Sequence, residues 1–322
     1  MRLRDTELGA WAALCRVQST PLTIIILLLG YGSSGADVLS VMVLPLLLVG
    51  ALGHWSVYAM NDYMDVWYDR QAGKSNKPLV SGEISEDRAL YFIILSCALS
   101  FIISLLSLGP NPTALWMAAV LVGMVYNGRS KVDWFSALYL SVWAVLVTLV
   151  GAVDGGGITP VTVMLSLALA VHMFIMTLEG DIKDLVEPEP SIPRKLGCKV
   201  DYPDVVMTTS FIGLFKMLEI IEFVTLVAVI QLSGGGIGYM AVLTPTVVAA
   251  MFMSWQLVKP QMFKTRWIKA RIVVYTILSA TALMVASMSM IGEGEAMILL
   301  IGTVVWGVMS QTLLYGNPLY FP

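Results

Sequence analysis

Long apolar segments are the feature of this 322-residue sequence that most constrains its fold. A helix needs about 20 mostly apolar residues to cross the ~30 Å hydrocarbon core of a bilayer. Hydrophobic residues make up 57% of the chain and charged residues only 13%, so a soluble domain would leave large apolar patches exposed. We therefore expect an all-α membrane protein with ten candidate spans: 16–32, 38–60, 88–108, 111–127, 134–153, 159–178, 205–231, 237–258, 271–291 and 296–315.

Basic residues are confined to one set of connections between these spans. Of the 19 Lys and Arg residues, all but Lys216 lie in the N-terminal segment or in 70–88, 129–131, 183–199 and 259–271, which share one membrane face if the spans alternate. The positive-inside rule places this face, and both termini, in the cytoplasm. The net charge of −3 offers no basic excess for nucleic acid, and the three cysteines form neither a metal nor a disulfide pattern.

A stripe of polar residues ends the second predicted span. Asn61, Asp62, Asp65 and Asp69 project within about 100° of one another on a helix. Several like charges beside a membrane need a neutralising partner, and Mg²⁺ accepts carboxylate oxygens and usually bridges them to substrate phosphates. The alternative is a solvated helix end that only marks the membrane interface.

The sixth predicted span ends in a second, smaller acidic stripe. Asp181 and Asp184 share a face with Thr177, whereas Glu179 projects to the far side. Two acidic helix ends that face each other would hold two or three Mg²⁺ ions around a diphosphate. The candidate metal ligands are therefore Asn61, Asp62, Asp65, Asp69, Asp181 and Asp184, with a purely structural role left open for the last two.

Basic and aromatic residues near the two stripes are candidate substrate ligands. The basic residues Arg16, Lys74, Lys77, Arg129, Lys131 and Lys183 suit phosphate oxygens, but they would serve equally well as topology anchors. Tyr126 adds a hydroxyl group. His54 and Tyr58 lie one to two turns deeper on the first stripe, where they would flank a reacting carbon, although a single membrane histidine is more often a packing residue. The seventh span carries Lys216, Glu219 and Glu222. These residues form either an internal ion pair or a contact with an acceptor substrate.

The ordered motifs resemble those of the UbiA superfamily of intramembrane prenyltransferases. The segment Asn61-Asp62-Tyr-Met-Asp65-Val-Trp-Tyr-Asp69 is similar to its NDxxDxxxD motif, and 76–85 is similar to its N-R-P-L-x-S-G-x-I-S loop, with Lys77 for Arg. Tyr126 and Lys131 resemble its Tyr…Lys pair, 179–181 its E-G-D, and 193–197 its P-x-x-L-G. Thr177 stands where the second acidic motif has its first Asp, so Asp184 is the candidate substitute.

This resemblance implies one polytopic domain over 1–322, with nine to ten helices around a central cavity and cytoplasmic cap loops at about 70–88, 128–133 and 182–204. It also implies that Mg²⁺ binds an isoprenyl diphosphate, such as geranylgeranyl diphosphate, whose allylic cation alkylates a hydrophobic or aromatic acceptor within the membrane. Asp65, Asp69, Asp181 and Tyr126 are then the expected catalytic residues.

Two other functions remain open at this point. A membrane terpene cyclase would ionise the same donor and quench the cation internally. A transporter would distribute its acidic residues along the membrane normal, whereas most of these cluster at one face.

Overall fold

The computed structural model describes residues 3–186, 189–202, 204–259, 261–262 and 265–316. In this part the chain forms thirteen α-helices: α1 (Glu7–Leu14), α2 (Thr20–Ser33), α3 (Leu44–Gln71), α4 (Pro78–Ser81), α5 (Glu86–Ser107), α6 (Pro110–Arg129), α7 (Ala137–Asp154), α8 (Pro160–Lys183), α9 (Ile192–Lys195), α10 (Thr209–Leu232), α11 (Ile237–Val258), α12 (Thr265–Ile291) and α13 (Glu293–Tyr315). Three 3₁₀ turns lie at Leu3–Asp5, Val17–Ser19 and Val41–Val43. The all-α expectation is confirmed.

Ten of these helices overlap the ten predicted spans. Seven helical segments satisfy a test of length and composition by themselves, and α1 with α2, bent by 48°, makes an eighth. Of the ten helices that overlap predicted spans, two fall outside that group: α6, which has polar residues at both ends, and α10, which carries Lys216, Glu219 and Glu222. The count of nine to ten spans is therefore approximate.

Local sequence signals explain where the main helices begin. Proline lies in the first turn of α2, α3, α6 and α8, where its missing N–H leaves no hydrogen bond unmade. The side chains of Ser85, Thr159 and Thr208 cap α5, α8 and α10 by accepting backbone N–H groups of the first turn. Because α3 then continues unbroken to Gln71, its acidic stripe lies on helix rather than on loop.

The sequence reading missed a small antiparallel sheet. Its strands β1 (Lys199–Asp201), β2 (Asp204–Val206) and β3 (Gln261–Met262) pair in that order. The sheet joins the connection after α8 to the one before α12, and it explains why α10 begins at Thr209 rather than at the predicted 205. Strands this short give no periodicity signal that a sequence pattern can detect.

Close packing of small residues holds the helices around the site. Helix α2 packs against α7, and α7 packs against α6 and α8. A Cβ atom added at Gly30 would lie 2.1 Å from the Thr148 carbonyl oxygen, and one added at Gly151 would lie 2.0 Å from that of Leu27. Small residues of this kind let membrane helices approach closely, and here they fix α2 beside α7.

Candidate active site

A polar cavity of about 540 Å³ lies where α2 begins and where α3, α6 and α8 end. Twelve of the fifteen predicted site residues line it: Arg16, Asn61, Asp62, Asp65, Asp69, Lys74, Lys77, Tyr126, Lys131, Asp181, Lys183 and Asp184. The structure therefore brings together the two acidic stripes and most of the basic residues that the sequence leaves far apart along the chain.

The first acidic stripe is buried and is neutralised by lysine. Asp62, Asp65 and Asp69 are 5%, 7% and 2% exposed. The Lys77 ammonium lies 2.9 Å from Asp62 Oδ1 and 2.6 Å from Asp69 Oδ2, and Lys74 lies 3.3 Å from Asp69 Oδ1. Because buried carboxylates are costly without a partner, these two lysines are part of what makes the stripe tolerable.

The turn after α3 brings both lysines back over the stripe. Gly73 has a φ of 67°, a left-handed conformation that favours glycine. The Lys74 N–H then donates to the Asp69 carbonyl at 3.0 Å, and the loop continues to Pro78, the first residue of α4. The predicted cap loop at 70–88 therefore folds onto the helix end that precedes it.

Arg16 occupies a strained position between α1 and α2. It is the one non-glycine residue in the described ranges with a positive φ, at φ 46° and ψ 51°, a conformation that costs on the order of 1–3 kcal/mol. Its guanidinium donates to Asn61 Oδ1 at 3.2 Å and to Asp62 Oδ1 at 3.3 Å, and it lies 5.0 Å from the centre of the Tyr58 ring. Strain of this kind is typical of a side chain that is aimed at a site.

The second acidic helix end is less tightly paired than the first. Asp184 lines the cavity and accepts from Lys183 at 2.9 Å, while the half-buried Asp181 lies beside it. The Thr177 hydroxyl donates to the Met173 carbonyl of its own helix at 2.8 Å and lies outside the lining of the cavity. Lys131 pairs at 2.7 Å with Glu189, a cavity residue that the sequence reading missed.

The cavity residues form the right set of donors for Mg²⁺ but do not yet converge on a point. Within the described residues, no three His, Cys, Asp or Glu side chains are arranged to hold a metal ion. The Lys77 ammonium already lies between Asp62 and Asp69. Carboxylate and amide oxygens without thiolate or imidazole are the ligands of a hard cation, so these residues fit Mg²⁺ once Lys77 moves to another anion.

A second, largely apolar chamber of about 180 Å³ adjoins the polar cavity. Three residues line both spaces: Arg16, Asn61 and Tyr126. The chamber is lined in addition by Leu22, Thr23, Gly53, His54, Val57, Tyr58, Trp116, Val120, Gly123, Asn127, Leu140, Trp143 and Met173. His54 and Tyr58 therefore lie below the polar cavity, as their helical spacing predicts.

Hydrogen bonds fix several residues in the wall of the chamber. The ring nitrogens of His54 lie 2.8 Å from Thr23 Oγ1 and 3.3 Å from Ser19 Oγ, so both are engaged with α2 and its leading turn. Asn61 donates to Asn127 Oδ1 at 3.2 Å, and Asn127 donates to the Val57 carbonyl at 2.8 Å. Asn127, which the sequence reading passed over, thus orients the first residue of the acidic stripe.

Arg129 is the predicted substrate ligand that the structure places elsewhere. It lines neither space, and it donates to both carboxylate oxygens of Asp133 at 2.9 and 3.1 Å. This pairing lowers the pKa of Asp133 from its usual value. The sequence shows only that Arg129 is a basic residue near a motif. The direction of its side chain is decided by Asp133, which follows four residues later.

Several lining residues carried no sequence signal. Trp116 and Trp143 line the chamber, and Gln18, Lys269 and Tyr315 line the polar cavity. The predicted polar group of α10 lies outside both spaces: Lys216 pairs with Glu219 at 2.7 Å, and Glu222 pairs with His172 at 2.8 Å. Lone tryptophans and lysines are too common in membrane helices to identify a site before the helices are packed.

Comparison with known proteins identifies the family. The model of the UbiA prenyltransferase family matches residues 19–273, so the chain belongs to this family. No curated protein matches the chain. The structure is similar to that of a digeranylgeranylglyceryl phosphate synthase, with 19% identity, a TM-score of 0.69, and coverage of 88% of this chain and 99% of the other.

Two archaeal structures are similar as well. A UbiA homologue from Archaeoglobus fulgidus bound to GPP and Mg²⁺ has 17% identity and a TM-score of 0.62, over 87% of this chain and 99% of that one. A UbiA homologue from Aeropyrum pernix K1 has 16% identity and a TM-score of 0.64, over 87% and 96%. At these identities the likeness shows a shared fold. The prediction of an intramembrane prenyltransferase of the UbiA superfamily is confirmed at the level of the family.

Proposed function

We propose that this protein uses Mg²⁺ to transfer a prenyl group from an isoprenyl diphosphate to a lipophilic or aromatic acceptor within the membrane. One observation carries the proposal: a charged cavity and an apolar chamber meet at Arg16, Asn61 and Tyr126. A prenyl diphosphate has this same division between a polyanionic head and a hydrocarbon tail. The relative from Archaeoglobus fulgidus, which is bound to GPP and Mg²⁺, supports the same ligand classes here.

The polar cavity would bind the diphosphate. Asp62, Asp65 and Asp69 on α3, with Asp181 on α8, would hold Mg²⁺, which supplies positive charge to the departing diphosphate. When the diphosphate enters, the Lys77 ammonium exchanges its two carboxylates for phosphate oxygens. The cavity is also lined by Lys74, Lys131 and Lys183, which add positive charge around the diphosphate.

The junction of the two spaces would hold the reacting carbon. Hydrogen bonds to Asn61 and Asp62 hold Arg16 there, so its guanidinium would lie near the diphosphate oxygen that is bonded to the reacting carbon. The rings of Tyr58 and Tyr126 line the chamber just below, and the face of an aromatic ring stabilises a nearby cation. Apolar walls exclude water, which would otherwise capture the allylic cation before the acceptor does.

We further propose that the site faces the cytoplasm. If the spans alternate, the ends of α3, α6 and α8 lie with the basic connections, and the positive-inside rule supports a cytoplasmic position for them. The chain ends belong to the same prediction, although residues 1–2 and 317–322 lie outside the described residues, as do 187–188 and 203 in the cap loop at 182–204.

The test is mass spectrometry of the products made by the purified protein in detergent. The protein receives farnesyl diphosphate or geranylgeranyl diphosphate with Mg²⁺, in separate reactions with and without a native lipid extract. We expect an adduct that appears only with the extract. Asp65→Asn and Asp69→Asn should abolish turnover in the folded protein, whereas Asp133→Asn, an acid outside the cavity, serves as the matched control.

Three outcomes would contradict this reading. Retained turnover in both cavity variants would remove the assigned metal ligands. A hydrocarbon or terpene alcohol formed without extract would make the protein a cyclase. Failure of any isoprenyl diphosphate to react or bind would remove the donor class altogether.

A further inference from the structure

The apolar chamber has a measurable depth along two of its helices. Measured from the junction with the polar cavity, its lining runs on α3 from Asn61 down to Gly53 and on α6 from Tyr126 down to Trp116. With a rise of 1.5 Å per residue, these eight and ten steps correspond to about 12 and 15 Å. An extended chain advances roughly 1.2 Å per bond, so four bonds, or one isoprene unit, take about 5 Å. The depth of the chamber therefore corresponds to about three extended units.

Trp116 closes the deep end of this chamber. The Trp116 side chain is 2% exposed, and a Cβ atom added at Gly53 would lie 2.2 Å from its ring. The indole packs directly on α3 because position 53 has no side chain. Beyond it on α3, Leu46 and Val49 are fully buried and belong to the same buried cluster as Trp116.

A hydrogen-bond chain holds the indole in this position. Trp116 Nε1 donates to Ser100 Oγ at 2.7 Å, and Ser100 Oγ donates to the Val49 carbonyl at 3.0 Å. The ring is thus tied through α5 to the same helix that carries the acidic stripe. A side chain fixed at both its face and its polar edge is a rigid end to a cavity rather than a side chain that swings aside.

We infer that Trp116 is a specificity-determining residue that limits the donor to about three isoprene units, or 15 carbons. A fourth unit of a longer donor meets the indole face and has to bend back or remain outside the chamber. This inference rests on the proposed function, because it assigns the chamber to the tail of the donor.

The experiment measures binding rather than turnover. Non-hydrolysable isoprenyl thiodiphosphates of 10, 15 and 20 carbons are titrated with Mg²⁺ into the purified wild-type protein and into Trp116→Ala and Trp116→Leu. In the wild type the affinity should rise from 10 to 15 carbons and then level off or fall. In Trp116→Ala the ratio of C20 to C15 affinity should rise at least ten-fold, because the burial of five further carbons becomes possible.

Two control variants separate depth from general loosening of the chamber. Trp116→Phe keeps an aromatic side chain but loses the pyrrole ring with its N–H, so it should shift the length profile less than Trp116→Leu does. Trp143→Ala widens the side wall and should change the affinity of all three analogues by a similar factor. Trp116→Leu opens a smaller space than alanine and covers the case in which Trp116→Ala does not fold.

The outcomes of the two proposals are distinct. If the wild type binds none of the three analogues, the proposed function fails. If all three bind but Trp116→Ala and Trp116→Leu keep the wild-type profile, Trp116 does not limit the donor.

Discussion

Lys77 is the counter-ion of the first acidic stripe, and its removal should leave that stripe dependent on Mg²⁺. The substitution Lys77→Gln removes the ammonium that lies within 3 Å of both Asp62 and Asp69. These carboxylates and Asp65 are all less than 9% exposed, so water does not replace the lost charge. Lys74 and Arg16 remain, at the longer distance of 3.3 Å.

The expected loss of stability follows from the burial of these carboxylates. Breaking a buried ion pair costs about 3–5 kcal/mol of stability. The Lys77 side chain keeps 22% of its exposure, so the lower end, about 3 kcal/mol, applies here. Mg²⁺ that binds only the folded state should return about 2.7 kcal/mol when its free concentration is 100 times its dissociation constant. The variant should therefore be clearly less stable in EDTA and nearly restored by Mg²⁺.

Thermal unfolding in detergent, followed by tryptophan fluorescence, measures both effects. The wild type should gain less from Mg²⁺ than Lys77→Gln, because the ammonium competes for the same carboxylates. Lys74→Gln is the matched control: its single pair and its 38% exposed side chain predict a change of about 0–1 kcal/mol. If Lys77→Gln unfolds at the wild-type temperature in EDTA and shows the same shift with Mg²⁺, the lysine is not the counter-ion of the stripe.

Three further predictions test other parts of the structure. Asp184→Ala should weaken the affinity for Mg²⁺ if this residue substitutes for the aspartate missing at Thr177, and an unchanged affinity measured by titration would exclude that role. Gly151→Ala should destabilise the protein by about 1–3 kcal/mol or more in denaturation, because the new Cβ atom meets the Leu27 carbonyl oxygen. Gly213→Ala is the control and should leave the stability unchanged, because a Cβ atom there meets nothing within 4 Å. Arg129 lowers the pKa of Asp133, so the contribution of this carboxylate to stability is present above its unfolded pKa and is lost as the pH falls through its folded pKa. This acid-induced loss should disappear in Asp133→Asn, and unfolding midpoints measured across that pH range test it.

Much of the active site could be predicted from the sequence because its residues sit at fixed helical spacings. Asn61, Asp62, Asp65 and Asp69 share a face of any helix that contains them, and α3 is one continuous helix through all four. The same geometry placed His54 and Tyr58 one to two turns deeper, and they line the chamber. Spacing along one helix is a local property, so it needs no knowledge of the neighbouring helices.

The direction of a side chain could not be predicted in the same way where it depends on a partner elsewhere in the structure. Arg129 turns to Asp133, Lys77 lies between two carboxylates, and Lys131 reaches Glu189, although all three looked alike in the sequence. A charged side chain has several partners within reach, and only the packed structure decides among them. The strand β3 was missed for the related reason that it pairs with a distant segment, and the hairpin of β1 and β2 is too short to give a periodicity signal.

The sequence by itself determined that this chain spans a membrane, which face carries its charges, and which acidic residues share a helix face, because hydrophobic length and helical period are properties of single segments. The tertiary structure decided that the two acidic ends meet in one cavity, that an apolar chamber opens beneath Arg16, and that this chamber ends at Trp116. Each of these features is made by residues from different helices, and their contacts exist only once Gly53 lets the indole pack against α3 and Gly151 lets α2 and α7 approach.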